Sequence, residues 1–398
     1  MANHFSENEW QEIESALNSN PTAYGLPQRV DNSIVIASWN IRKFGTLMNG
    51  TVPKKSPGAF RMIKRFCAQC DLVAIQEQQD STESLYKLIA DINSEGRHFQ
   101  VVISDLTGRA PGYKGMAERF AWLYNTEKIK RGDLASDLTY DRTAITKNIS
   151  DALASSIRAE VPHEDAPGFI EKLYAWADRT KRLVGSNFLS FVQFVRSPHI
   201  VEFLVPGNNS SYEIYCINAH LVSGKSKKER SQEFFALLEW LLLDSRRTVE
   251  RDSKIVMLLA DLNLDFESSI DKRRLGIAKY ITSLNEVRKL KAKVNFPFLD
   301  GDFFTNARET ETFDHIAWIS NDSRMPRGRH NKLAGTLGEN QFDYGMFNFT
   351  KLFREAGNVI LPSGKTDYSK FEHDLSDHMP IWIRLPVPSK DQIKFQVS

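Results

Sequence analysis

Strand-like apolar runs in this chain repeatedly stop on an amide, a carboxylate or an imidazole, and that repetition limits the possible folds more than any other feature. Ile34–Trp39 runs into Asn40, Leu72–Gln76 into Glu77, Tyr212–Ala219 into His220, and Ile255–Ala260 into Asp261, with Asn263 just beyond. In Leu375-Ser376-Asp377-His378-Met379-Pro380-Ile381 the order is reversed, an Asp-His pair preceding a Pro-led apolar strand, and Asp314 likewise stands before His315 and Ile316–Ile319. Polar residues at the mouths of buried strands can meet if the strands share a sheet edge, so the pattern predicts one site at the carboxyl edge of a sheet.

The remaining segments are consistent with mixed sheets covered by helices. Asn8–Leu17 reads as an amphipathic helix with Trp10, Ile13, Ala16 and Leu17 on one face, and Phe60–Cys67, Ser84–Ile92 and Lys227–Leu243 also read as helical. Phe99–Ser104, Arg119–Tyr124, Ile200–Val205 and Ile381–Leu385 read as strands, and Pro206–Ser211 as the turn of a hairpin. From about Thr139 to Leu189 the texture becomes polar, charged and helical, which predicts an inserted subdomain at 139–189. The polar residues recur from Asn40 to His378, so the strand-rich parts are expected to form one domain over 31–390, preceded by a helical extension over 1–30.

Composition narrows the function classes. The 398 residues are 41% hydrophobic and 26% charged, enough for a large core, and the net charge of +2 sets up no global field. Any phosphate-binding surface must therefore be a local basic patch. Cys67, Cys70 and Cys216 are few and odd in number, which argues against a disulfide-stapled fold. Cys67 and Cys70 have metal-site spacing but no second pair, so packing at a helix end is the expectation. Met1–Asn20 is polar and acidic, and no apolar run is long enough to span a bilayer. A cytoplasmic enzyme with no membrane partner is expected, and nothing signals an oligomeric state.

Particular residue types point to particular chemistry. Glu77, Asp377 and the Asn40 amide, if brought together, make a hard oxygen site suited to Mg²⁺ or Mn²⁺. Asp261 and Asn263 stand two apart, so on a strand they would face one space and could hold a water against a phosphate; the same pair also fits an Asx turn. His220 and His378, each with a carboxylate partner, could move protons. No Ser-His-Asp or Cys-His arrangement and no Gly-rich phosphate loop is present.

Eight short stretches in this order resemble the endonuclease/exonuclease/phosphatase superfamily, and within it the deoxyribonuclease I-like branch. They are Trp39–Gly45, Asp71–Glu77, Glu118–Phe120, Arg196–Pro198, Ala219–His220, Ala260–Asn263, Phe313–Ile316 and Ser376–Pro380. The resemblance implies an α/β four-layer sandwich of two mixed β-sheets flanked by helices, with the site where the sheets open. It implies Glu77 and Asp377 as metal ligands with Asn40 beside them, His220 paired with Glu118, and His378 oriented by Asp314. Asp261 and Asn263 would position the water and the scissile phosphate, while Arg42 and Arg196 would contact a DNA backbone. The implied activity is phosphodiester hydrolysis, with a DNA endonuclease of low sequence specificity as the leading form. A phosphatase or sphingomyelinase-type phospholipase of the same fold is the alternative. Gln79 and Met116 stand where that branch has its minor-groove arginine and stacking tyrosine, so the resemblance carries the hydrolysis further than it carries groove reading.

Overall fold

The structure is a computed structural model. It describes residues 4–45, 55–108, 117–138, 194–208, 210–223, 227–241, 254–264, 275–279, 282, 293–300, 303–326, 328–329 and 341–388. The chain divides into two compact units, Met1–Leu138 with Val195–Ser398, and Thr139–Phe194. The helical insertion expected at 139–189 falls in the second unit and lies outside the described residues, as does Met116.

In chain order the described strands are β1 (Ser33–Phe44), β2 (Leu72–Gln78), β3 (Phe99–Ile103), β4 (Arg119–Asn125), β5 (Lys130–Asp137), β6 (His199–Pro206) and β7 (Ser211–His220). They continue with β8 (Ile255–Asp261), β9 (Lys293–Asn295), β10 (Asp314–Ser320), β11 (Gly328–Arg329), β12 (Gln341–Met346) and β13 (Ile381–Pro386). The helices are α1 (Glu7–Ser19), α2 (Pro57–Cys67), α3 (Glu83–Asn93), α4 (Lys227–Glu239) and α5 (Phe349–Ala356). None of the described helices is long and apolar enough to cross a membrane.

The strands form two sheets, a seven-stranded one in the order β11-β12-β13-β1-β2-β4-β3 and a six-stranded one in the order β5-β6-β7-β8-β10-β9. Each mixes directions: β1–β2 and β7–β8 are parallel, while β1–β13, β2–β4 and β8–β10 are antiparallel. The sheets pack face to face, with β1 and β2 against β7, β8 and β10. Strand β8 shows how complete the cover is. Its alternate residues Ile255, Met257 and Leu259 enter the main core, and Val256 and Leu258 between them are buried too, on the other face. This is the expected α/β four-layer sandwich.

The sequence dictates the helices through their caps. Ser6 accepts the Glu9 N–H while Glu9 reaches back to Ser6, a capping box that starts α1 and sets Trp10, Ile13 and Leu17 into the core. Ser56 caps α2, and Pro57 follows at its first turn. Cys67 and Cys70 are buried free thiols, and burial pushes the Cys67 thiol up to about 12, so both pack rather than react.

Candidate active site

The sheet pairings converge on one edge. Asn40 pairs with Gln76 across the parallel β1–β2 ladder, which places Asn40 beside Glu77. His220 pairs with Asp261 across β7–β8, and Asp261 with Asp314 across β8–β10. Antiparallel β13 begins opposite the end of β1, with Ser38 facing Ile381, so Asp377 and His378 arrive at the same mouth.

Glu77 is aimed by a bulge. The β1–β2 register shifts between Asn40 and Phe44, the β2–β4 register shifts between Ile75 and Gln78, and Glu77 takes φ +57°. That left-handed conformation is uncommon for Glu and persists where surrounding contacts hold it. Lys43, with φ +49°, supplies one such contact, its N–H donating to Glu77 Oε2 at 3.0 Å. Asn218 supplies another from the opposite sheet, donating to the carbonyls of Ile75 and Ala121 at 3.1 and 3.2 Å and accepting from Gln76 at 2.7 Å.

At the centre two imidazoles share one oxygen. His220 Nδ1 lies 2.8 Å from Glu118 Oε1, and His378 Nδ1 lies 2.9 Å from Asp314 Oδ2. Burial raises the Asp314 pKa while His378 opposes the rise, and where these carboxyls are ionised they only accept, which puts hydrogen on both Nδ1 atoms. The two Nε2 atoms approach the same Asp261 Oδ2, at 3.5 and 3.6 Å, and the Asn40 amide donates to it at 3.0 Å. Burial and nearby Arg196 oppose charge on His220, but Glu118 and Asp261 outweigh them and lift its pKa. Burial also opposes charge on His378, yet Asp314, Asp261 and Asp377 raise its pKa well above the usual histidine value. Burial favours a neutral Asp261, but His378, His220 and the Asn40 bond hold its carboxyl below the usual range.

The remaining predicted residues surround this centre. Asn263 lies past the end of β8 with φ +48°, so strand pleating does not align it with Asp261. Its backbone N–H donates to Asp261 Oδ1 at 3.1 Å, the Asx-turn reading of the pair, and its amide donates to the Leu221 carbonyl at 3.0 Å. Arg196 is 7% exposed. Its Nε sits 3.1 Å from Glu118 Oε2 and its Nη1 donates to the Leu221 carbonyl at 3.3 Å. Arg42 is more open and donates to Asp377 Oδ2 at 2.7 Å. It lines a cleft of about 300 Å³ with Arg308, Phe313, His373, Asp377 and His378. A cleft of similar size, about 320 Å³, lies against α1 and α2 and contains none of these residues.

Several contributors carried no sequence signal of their own. Ser376 accepts from the His378 N–H at 3.0 Å and donates to the Asn40 carbonyl at 2.7 Å, and Trp39 Nε1 donates to the His378 carbonyl at 2.8 Å. Glu233 on α4 accepts the N–H groups of Val195 and Val222, at 3.0 and 2.5 Å, next to Arg196 and close after His220. Lys55 is buried; desolvation lowers its pKa to about 8, while Asp374, Glu77 and Asp377 oppose the fall. Asn218, two positions before His220 on one strand, is the one that strand periodicity alone could have flagged.

The donor set of Glu77, Asp377 and Asn40 suits a hard divalent cation. Among the described residues Asn40 Oδ1 is buried without a hydrogen-bond partner, and Glu77 Oε1 receives only the Asn40 amide, at 3.4 Å. Arg42 and Lys43, adjacent in sequence, hold Asp377 and Glu77 respectively, which ties both carboxylates to the end of β1. Asp261, Asp314 and His378 also offer ligand atoms within 4.8 Å of one another, the spacing of a metal site. There the imidazole keeps its proton between two carboxylates, which favours proton traffic over ligation, because a histidine ligand must be neutral.

No protein-family model matches the chain, and no curated protein matches it in sequence. Solved structures similar to it include the human Nocturnin catalytic domain with bound sulfate, at 10% identity and TM-score 0.45 over 89% of this chain and 94% of that one. An endonuclease/exonuclease/phosphatase family protein from Bacteroides thetaiotaomicron is 14% identical, with TM-score 0.41 over 89% and 97% of the two chains. D. rerio TDP2 complexed with a single-strand DNA product is 13% identical, with TM-score 0.41 over 89% and 99%.

Proposed function

We propose that this chain is a divalent-metal-dependent phosphodiester hydrolase, and specifically a DNA endonuclease of low sequence specificity that uses in-line attack by water. One observation carries the reading: two imidazoles, each bonded through Nδ1 to its own buried carboxylate, turn Nε2 to a single oxygen of Asp261. Hydrolysis of a phosphodiester requires one proton to leave the attacking water and one to reach the departing oxygen. A pair of oriented imidazoles around an anionic carboxylate suits both transfers.

Asp261, held anionic, orients the water and accepts its hydrogen bond. His378, whose pKa Asp314, Asp261 and Asp377 raise, keeps its proton and donates it toward the phosphate or leaving oxygen. His220, which Arg196 makes less basic than its two carboxylates alone would, exchanges the proton drawn from the water. Glu77, Asp377 and Asn40 would hold Mg²⁺ or Mn²⁺, which supplies charge neutralisation at the phosphate oxygens. Arg42 at the cleft, with Arg308 and His373 on its wall, would meet the backbone of the nucleic acid.

The test is incubation of supercoiled plasmid with the protein in Mg²⁺, in Mn²⁺ and in chelator, beside Asp377→Ala. Nicking that needs the cation and drops about 10²–10³-fold in the variant is expected. Failure of the unmutated protein to nick under any divalent cation overturns the nuclease reading. Release of phosphocholine from sphingomyelin, or of phosphate from inositol phosphates, without DNA cleavage would hand the site to the alternative.

A further inference from the structure

We propose that Lys55 is a positioning residue that sets the spacing of Glu77 and Asp377 for their cation, an inference that rests on the ligand assignment above. Lys55 is 5% exposed, and its ammonium bonds to main-chain carbonyls: Arg42 at 2.7 Å and Leu375 at 2.9 Å. These two carbonyls lie on the segments that carry the metal site. Arg42 precedes Lys43, whose N–H holds Glu77, and Leu375 lies two residues before Asp377. A single ammonium therefore joins the end of β1 to the loop that leads into β13.

The anchor itself is fixed. The next residue, Ser56, donates from its N–H and its hydroxyl to the two oxygens of Asp374, at 2.7 and 2.5 Å, which clamps the Lys55 backbone beside the same loop. Burying an ammonium is costly, and carbonyls this close to a cleft could instead be satisfied by water. A lysine in that place gives what water cannot, a donor anchored to the chain just before α2 that hydrogen-bonds both metal-bearing segments.

Two physical effects of Lys55 on cation binding have opposite signs, and this makes the proposal testable. Its positive charge near Glu77 and Asp377 repels a cation, whereas its two carbonyl bonds preorganise the ligands. If charge dominates, Lys55→Met binds Mn²⁺ more tightly; if positioning dominates, it binds more weakly despite losing a repulsive charge. The experiment is calorimetric titration of the full chain with Mn²⁺, with folding checked by circular dichroism. The expected result is about tenfold weaker binding in Lys55→Met, the scale of residues that support metal ligands, with Lys55→Arg within about threefold of the unmutated protein. A folded Lys55→Met that binds Mn²⁺ equally or more tightly overturns the proposal. Where Lys55→Met does not fold, Lys55→Gln takes its place: binding weaker than Lys55→Arg supports the proposal, and binding equal to the unmutated chain overturns it. Absence of Mn²⁺ binding by the unmutated protein instead strikes the metal assignment, and the two failures are thereby distinguished.

Discussion

His220 and His378 occupy almost the same setting. Each is bonded through Nδ1 to a buried carboxylate, at 2.8 and 2.9 Å, and each brings Nε2 to Asp261 Oδ2, at 3.5 and 3.6 Å. They differ in what stands behind them. Glu118 shares its second oxygen with Arg196, so the charge that favours imidazolium on His220 is partly taken up by a guanidinium. Asp314 is held instead by the Thr305 hydroxyl, which accepts its backbone N–H at 3.0 Å, and the Asp377 carboxylate adds to the field at His378. Similar geometry thus sets two imidazoles in different electrostatic surroundings around one carboxylate, with a guanidinium opposing charge on His220 and an added carboxylate favouring it on His378, which is how a site separates a proton donor from a proton acceptor.

The strongest way to break that comparison is to remove the shared partner. Asp261→Asn leaves both imidazoles on their own carboxylates but deletes the common anion. Plasmid nicking in saturating Mg²⁺ should fall by about 10³–10⁴-fold, the upper range for acid–base groups that act as a unit. A loss under about tenfold would mean that the two histidines do not work through Asp261.

The next test sharpens the difference between the imidazoles. Arg196→Gln removes the cation that opposes charge on His220, so the His220 pKa should rise further while that of His378 stays in place. Imidazole proton resonances followed through a pH titration report both. Nicking should fall about tenfold at neutral pH, because a more basic His220 holds its proton longer. Equal movement of both resonances would show that Arg196 acts on the whole site and does not distinguish the pairs.

Legibility in the sequence followed the same division between strand ends and their surroundings. Asn40, Glu77, His220, Asp261 and Asp377 stood out because each interrupts an apolar run, and the sheet pairings then place most of them together. Strand β5 did not read as a strand, since Lys130, Arg131, Glu202's neighbour Asp133 and most of its other residues face solvent at a sheet edge, where no apolar alternation is required. β12 and α5 were missed too, although Phe342, Tyr344 and Phe353 are buried, because Gly345 and the short polar interruptions break the periodicity. Glu118 and Arg196 were reachable only through resemblance to a family, because neither ends an apolar run. Lys55 had no signal at all: a lysine beside a serine and a proline reads as a solvated loop until the fold buries its ammonium. For the Asp261–Asn263 pair two readings stood open in the sequence, a shared strand face and an Asx turn, and the turn is the one that joins them.

The smallest effect expected is on folding stability, and its sign follows from the same field. The folded-state pKa of His378 is raised above its ordinary value of 6.5. A group raised in this way adds stability that is fully present below the unfolded value and is lost as pH climbs through the folded value. Asp261 runs the opposite way: its lowered pKa adds stability that is present above the ordinary 3.8 and disappears as pH falls through the folded value. With chelator present, urea unfolding from about pH 6 to 9 should therefore show a declining midpoint on the alkaline side. His378→Asn, which cannot titrate, should lessen that decline to the part His220 carries, and the acid limb should move to higher pH because Asp261 loses the imidazolium that most lowers its pKa. An unchanged alkaline slope in the variant would locate the titrating group elsewhere and would remove the basis for reading His378 as the proton donor of the two imidazoles.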